Sequence, residues 1–86
     1  MEYYDRIKLL RLDNYKTQKE IADILVVSRN SYSEYEHGKR LIPIDCLKTL
    51  CEYYGVSADY ILGLPKGMGW YRRFWAKTNL KSVGTH

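Results

Sequence analysis

Three polar side chains between residues 29 and 34 could form specific hydrogen bonds with planar partners. Arg29 carries parallel N–H donors that match the O6 and N7 acceptors of guanine. Asn30 offers the donor and acceptor that match adenine, and Glu34 could accept a hydrogen bond from the amino group of cytosine. The ordinary alternative is a solvated helix face. What these side chains do therefore depends on the element that carries them.

That element is predicted to be the second of two short helices joined by a tight turn. The first of the pair, residues 18–25, begins with a capping box in which Thr17 is the N-cap and Glu20 lies three residues later. The second, residues 29–37, begins after Ser28, which is also a good N-cap residue. Only the two residues Val26 and Val27 separate the pair before this cap.

Three more helices are predicted around this pair. Apolar residues recur at helical spacing over residues 3–13. The same helical spacing of apolar residues recurs between Pro43 and Gly55. Ser57 can then cap a short helix that ends at Gly63. No alternating segment is long enough to predict a strand. The sequence therefore predicts an all-α bundle of five helices.

The order of these features resembles a known family. The segment TQKEIADILVVSRNSYSEYEHGKR is similar to the Cro/CI-type, or XRE-family, helix-turn-helix, and the likeness continues through IPIDCLKTLCEYYGVSADYILG, so it covers about residues 5–63. The resemblance implies a lambda-repressor-like bundle. It also implies a sequence-specific regulator of transcription, specifically a repressor, that binds a double-stranded DNA operator as a homodimer with helix 28–37 in the major groove.

Carried over position by position, the resemblance implies roles for individual residues. Arg29, Asn30 and Glu34 would face the base edges, and Gln18 would contact a phosphate. Arg11 and Glu36 would form a structural ion pair that does not touch DNA. Further phosphate contacts, which fix register without reading bases, are expected at the edge of the recognition helix and in the loop after it: Ser28, Ser31, Ser33, His37, Lys39 and Arg40. For Lys39 and Arg40 the alternative is a solvated loop.

Val26 departs from the family pattern, which often has glycine or asparagine in this turn. A β-branched residue tolerates positive φ poorly, so the turn either avoids that conformation or is strained.

The positive charge of the chain lies almost wholly near its C-terminus. Residues 1–63 hold nine Lys or Arg against ten Asp or Glu, whereas residues 64–86 hold five basic residues and no acidic one. We therefore divide the chain into a DNA-binding domain, residues 1–64, and a basic aromatic tail, residues 65–86. If the tail is helical, Trp70 pairs with Phe74 and Tyr71 with Trp75. It could pack on the bundle, join a dimer, bind a protein partner, approach DNA or remain disordered.

Other classes of protein fit less well. The sequence has no nucleophile paired with a general base, no phosphate-binding loop and no cluster of metal ligands. We therefore expect neither an enzyme nor a cofactor. Cys46 and Cys51 are interpreted as small buried residues and not as a disulfide or zinc site. No apolar run approaches the roughly 20 residues that span a bilayer, so a cytoplasmic protein without membrane contact is expected. Two alternatives stay open, an antitoxin and a protein-interaction module with the same fold.

Overall fold

The computed structural model describes residues 1–64, and this part of the chain is helical with no strand. The all-α prediction is confirmed. Every prediction for residues 65–86 lies outside the described residues. The five helices of residues 1–64 are α1 (Tyr3–Asp13), α2 (Gln18–Leu25), α3 (Arg29–Glu36), α4 (Ile44–Tyr54) and α5 (Ala58–Leu62).

Local capping determines where the two central helices begin. At the start of α2, the Glu20 backbone N–H donates to Thr17 Oγ1 at 3.1 Å, and the Thr17 N–H donates to Glu20 Oε1 at 2.9 Å. At the start of α3, the Ser31 N–H donates to Ser28 Oγ at 3.0 Å. Both predicted caps are confirmed. The predicted end of the third helix was one residue too late, since His37 is the C-cap.

One apolar core lies between the helices. α2 packs chiefly against α3, α1 packs against α3 and α5, and α4 closes the core against α2 and α5. Because each helix buries only one stripe, its polar face remains available on the outside. The buried apolar residues are Ile7, Leu10, Ile21, Ala22, Leu25, Tyr32, Tyr35, Cys46, Leu50 and Ile61.

Both cysteines are free thiols. Cys46 is buried, as predicted, but Cys51 is only partly buried. The prediction was wrong for Cys51 because this residue lies at the edge of α4, where the core ends and a surface groove begins.

The turn between α2 and α3 adopts the conformation that its sequence disfavours. Val26 has φ 58° and ψ 44°, in the left-handed region, and the residue is 90% exposed. The turn is closed by a hydrogen bond from the Val27 N–H to the Ala22 carbonyl at 3.0 Å. Since the exposed side chain gains little packing, the backbone of this turn is strained.

We expect Val26→Gly to raise the free energy of unfolding by about 1 kcal/mol. Left-handed backbone costs a non-glycine residue about 1–2 kcal/mol, whereas the greater freedom of glycine in the unfolded chain costs about 0.5–1 kcal/mol. Urea unfolding measures the difference. Val26→Ala is the matched control, which keeps Cβ and should recover only part of the gain. A Val26→Gly protein less stable than the parent would contradict the strained turn.

Candidate nucleic-acid interface

The recognition helix α3 separates its residues into a buried and an accessible side. The buried side comprises Tyr32, Tyr35 and Glu36, which anchor α3 in the bundle. Arg29 and Asn30 are exposed in the first turn. A shallow cleft of about 210 Å³ runs along the accessible side, lined by Asn30, Ser33, Glu34, His37 and Lys39. The structure thus brings five of the ten predicted contact residues together in this cleft. We call the cleft, with the exposed Arg29 in the first turn of the same helix, the α3 face.

Two predicted DNA contacts are paired with each other. Arg40 Nη2 lies 3.2 Å from Glu34 Oε1, and both side chains remain accessible to water. An exposed pair of this kind contributes at most about 1 kcal/mol, so it can exchange for other partners. While it is formed, Arg40 offsets the repulsion that the Glu34 carboxylate would exert on phosphate.

Ser28 and His37, at opposite ends of α3, already have partners within the helix. The Ser28 hydroxyl accepts from the Ser31 N–H and lies 3.0 Å from Ser31 Oγ. His37 Nδ1 lies 2.7 Å from the Ser33 carbonyl oxygen, which can only accept, so Nδ1 carries the hydrogen. In neutral His37 the other ring nitrogen, Nε2, is then an acceptor. A phosphate contact through Nε2 therefore requires the charged imidazolium.

Beneath the α3 face lies a buried ion pair between α1 and α3. Arg11 Nε donates to Glu36 Oε2 at 2.6 Å, and Arg11 Nη2 donates to Glu36 Oε1 at 3.1 Å. The two side chains are only 11% and 1% exposed. This bidentate geometry fixes both the distance and the relative orientation of α1 and α3.

Hydrogen bonding outweighs burial at the Glu36 carboxylate. Burial alone would raise the pKa of Glu36, but the bonds donated by Arg11 and Gln18 hold that pKa below its ordinary value. The bond to Glu36 likewise raises the pKa of Arg11. Both partners therefore stay charged at neutral pH. Tyr32 lies close enough to the pair to help lower the pKa of Glu36, although its hydroxyl makes no hydrogen bond of normal geometry within residues 1–64.

Gln18 joins this ion pair to the start of α2. Its Nε2 donates to Glu36 Oε1 at 3.2 Å, while Arg11 Nη1 donates to the Lys16 carbonyl oxygen at 2.9 Å. Gln18 was assigned a phosphate contact in the sequence; in the structure its side chain is half-buried and turned toward Glu36. Residues of α1, α2 and α3 thus meet at one carboxylate. We call Arg11, Gln18 and Glu36 the helix-joining cluster.

The loop after α3, which carries Lys39 and Arg40, is held against α1. The Ile42 N–H donates to the Tyr3 hydroxyl at 3.3 Å. Gly38 has φ 71°, and a Cβ atom there would lie 2.6 Å from Cε1 of Tyr4. The loop therefore approaches the Tyr4 ring so closely that only glycine fits. Both basic residues remain exposed on this anchored loop.

Sequence reasoning missed the two tyrosines of α1 that anchor the loop. Tyr3 was interpreted only as part of the apolar pattern of α1, and Tyr4 had no assigned role. The Tyr3 contact with Ile42 joins residues 39 positions apart. No local motif signals such a contact, although two adjacent tyrosines at the start of a helix were visible.

The match to known proteins decides the family. Residues 4–66 match the family model described as a helix-turn-helix domain. This chain belongs to the helix-turn-helix domain family. The resemblance to Cro/CI-type, or XRE-family, regulators is thereby confirmed, and the α2–turn–α3 unit is the motif after which the family is named. Such regulators are generally not enzymes.

Curated relatives carry the same helix-turn-helix domain within longer proteins. The chain is 37% identical over 62 residues to YobD of Bacillus subtilis, named an uncharacterised HTH-type transcriptional regulator, and these residues cover 72% of this chain and 55% of YobD. It is 41% identical over 58 residues to the HTH-type transcriptional regulator ImmR of Bacillus subtilis, covering 67% and 46%. It is 38% identical over 60 residues to the antitoxin PezA of Streptococcus pneumoniae, covering 70% and 38%.

The matched region thus spans about half or less of each of these relatives. No solved structure gives a significant match to the chain.

Membrane-spanning helices and metal sites can both be assessed over the described residues. Among residues 1–64, no helix is both long and apolar enough to cross a membrane. In the same residues no three His, Cys, Asp or Glu side chains are grouped so that they could hold a metal ion.

Proposed function

We propose that this chain is a sequence-specific regulator of transcription that inserts α3 into the major groove of double-stranded DNA. The observation that carries the proposal is the α3 face. Arg29 and Asn30 are accessible there, while the opposite side of α3 is held in the core by Tyr32 and Tyr35. A rigid helix with accessible donors near its N-terminus is suited to reading base edges.

Base reading is assigned to three residues. Arg29 would donate to guanine, Asn30 would pair with adenine, and Glu34 would accept from cytosine. Glu34 shares one carboxylate oxygen with Arg40 in the free protein, and release of Arg40 would leave that guanidinium free to bind phosphate. The exposed Glu34–Arg40 pair in the free protein supports such an exchange, because it is weak.

Phosphate binding is assigned to the two ends of the α3 face. Lys39 and Arg40 are held there by the anchored loop, and His37 would contribute in its charged form. Ser31 and Ser33 lie at the helix edge. Ser28 and Gln18 would contact phosphate in addition to the hydrogen bonds that they already make within the protein. These contacts would set orientation and salt dependence but not sequence preference.

The proposal includes a homodimer. One helix-turn-helix contacts few base pairs, and two copies bound about 34 Å apart would read a near-palindromic operator. Repression is the proposed outcome, exerted in the cytoplasm where bacterial DNA lies. The proposal includes residues 1–64 as the DNA-binding domain, no catalytic activity and no cofactor.

A second candidate function is that of an antitoxin. The observation that favours it is the 38% identity to a protein named antitoxin PezA. In that case the DNA-binding domain would have the same role, and another part of the protein would bind a toxin. A pure protein-interaction module is less well supported, because the accessible Arg29, Asn30, Lys39 and Arg40 give the α3 face the chemistry of a DNA contact.

The test is selection of bound sequences from random duplex DNA at two salt concentrations, followed by affinity measurements on the selected site. We expect a two-fold symmetric motif. Arg29→Ala should weaken specific binding by about 1–3 kcal/mol, or roughly 5–150-fold, by removing a bidentate base contact. Arg29→Lys is the matched control, since it keeps the positive charge and the salt dependence but loses the paired donors.

Two results would count against the proposal. If no sequence is enriched, α3 does not read bases. If Arg29→Ala keeps the affinity and motif of the parent, the recognition surface lies elsewhere on the protein.

A further inference from the structure

An apolar groove that contains no residue of α3 is not used by the proposed function. It has a volume of about 360 Å³ and lies between α4 and the start of α5. Leu47, Cys51 and Val56 form its partly buried floor. At its edge, Ile44 is 79% exposed to water. The remaining lining residues are Lys48, Ser57 and Ala58. The volume of the groove lies within the roughly 300–1,000 Å³ range of binding clefts lined mainly by apolar residues.

We propose that the groove is the docking site for the aromatic segment of the same chain, within residues 70–75. Four of these six residues are aromatic, namely Trp70, Tyr71, Phe74 and Trp75. Aromatic side chains release the most free energy when they leave water, because each buries roughly 150–250 Å². The groove and the segment therefore have matching chemistry.

Charge complementarity favours the same pairing. Residues 44–64, which include every residue that lines the groove, contain three acidic side chains outside the lining and one basic side chain, Lys48, within it. Residues 65–86 contain five basic side chains and no acidic one. The net charges are thus −2 and +5, so the segment is attracted to the half of the bundle that contains the groove. Although exposed charges contribute little singly, they act here in the same direction as the apolar contact.

The segment is also close enough to reach the groove within one chain. The groove is lined by Ala58 at the start of α5, and that helix ends at Leu62, only about 6 Å further along its axis. Five residues, 65–69, precede Trp70, and a chain of that length spans up to about 17 Å. An intramolecular contact therefore requires no second copy, and the short linker gives it a high effective concentration.

The two tryptophans provide the test, because both lie in the segment and residues 1–64 contain none. We expect selectively excited tryptophan emission of the full chain to lie to the blue of the urea-unfolded chain and to resist quenching by acrylamide. Ile44→Lys should shift the emission to the red and expose the tryptophans, since it removes an apolar wall and repels the basic segment. Ile44 is largely exposed, so the bundle should stay folded.

Leu41→Lys is the matched control. Leu41 is 82% exposed and lies outside the groove, so the same change should leave tryptophan emission unaltered. A second measurement uses Cys51, which lines the groove. In the full chain, replacing Trp70, Phe74 and Trp75 together with serine should increase the rate at which a thiol reagent modifies Cys51. Far-ultraviolet circular dichroism confirms that each variant remains helical.

Three outcomes would overturn the proposal. In the first, the parent emits like the unfolded chain, so the segment is not buried. In the second, Ile44→Lys and Leu41→Lys give the same spectrum as the parent, so the segment is buried elsewhere. In the third, protection is lost on dilution in parallel with dissociation of a dimer seen by sedimentation, so the groove is filled by a second copy. None of these outcomes affects DNA binding by α3.

Discussion

We expect Glu36→Ala to lower the free energy of unfolding by about 3–5 kcal/mol, because it leaves the Arg11 guanidinium without its charged partner in a buried position. Domains of this size are stable by only about 5–15 kcal/mol, so the variant would lose a large part of its stability. Gln18 also loses its acceptor, which loosens α2 from α3. Urea unfolding followed by circular dichroism measures the change.

The control for this prediction is Glu34→Ala, which removes a carboxylate from the same helix. Glu34 pairs with Arg40 in an accessible position, so its loss should cost no more than about 1 kcal/mol. Equal losses of stability in the two variants would contradict a special role for the buried pair. The double change Arg11→Met with Glu36→Leu should be less damaging than Glu36→Ala, since it leaves no unpaired charge.

Gly38→Ala is expected to destabilise the bundle by about 2–5 kcal/mol, the sum of left-handed backbone strain and an overpacked contact. The strain arises at φ 71°, and the contact arises because the new methyl group would lie 2.6 Å from the Tyr4 ring. Either the ring or the loop must move. Thermal or urea unfolding gives the loss of stability, and DNA affinity should also fall because Lys39 and Arg40 follow the loop.

Gly55→Ala separates these two contributions. Gly55 has nearly the same backbone conformation, φ 68°, but no atom lies within 4 Å of the position that a Cβ would take. We expect it to lose only the strain, about 1–2 kcal/mol. If both alanine variants were equally stable, contact with Tyr4 would not be what requires glycine at residue 38.

Features set by neighbouring residues were predictable from the sequence. Thr17 and Glu20 begin α2 through contacts three residues apart, and Ser28 begins α3 in the same way. The accessible positions of Arg29 and Asn30 follow from the same register. The strain at Val26 was anticipated as one of two alternatives, because a β-branched residue occupied a turn that favours glycine.

Features that depend on distant residues were not accessible to the same reasoning. Arg11 and Glu36 are 25 positions apart, and only the family resemblance suggested that they pair. The inward orientation of Gln18 depends on that pair, so a surface role was the natural interpretation of its position after a cap. Gly38 directly follows the predicted end of the third helix at residue 37, but its approach to Tyr4 depends on how α1 crosses the loop.

The helix-joining cluster has a mechanical consequence. Because a single carboxylate receives bonds from both neighbouring helices, α3 cannot tilt or slide against α1 or α2 without breaking at least one of them. When the recognition helix α3 is fixed in this way, most of the conformational entropy needed to order it is lost during folding, before DNA is present. It also has little freedom to adjust to an imperfect site. Selectivity among operators would then come from rigidity as well as from the bases contacted. Wrong sequences would be rejected because α3 cannot shift to fit them.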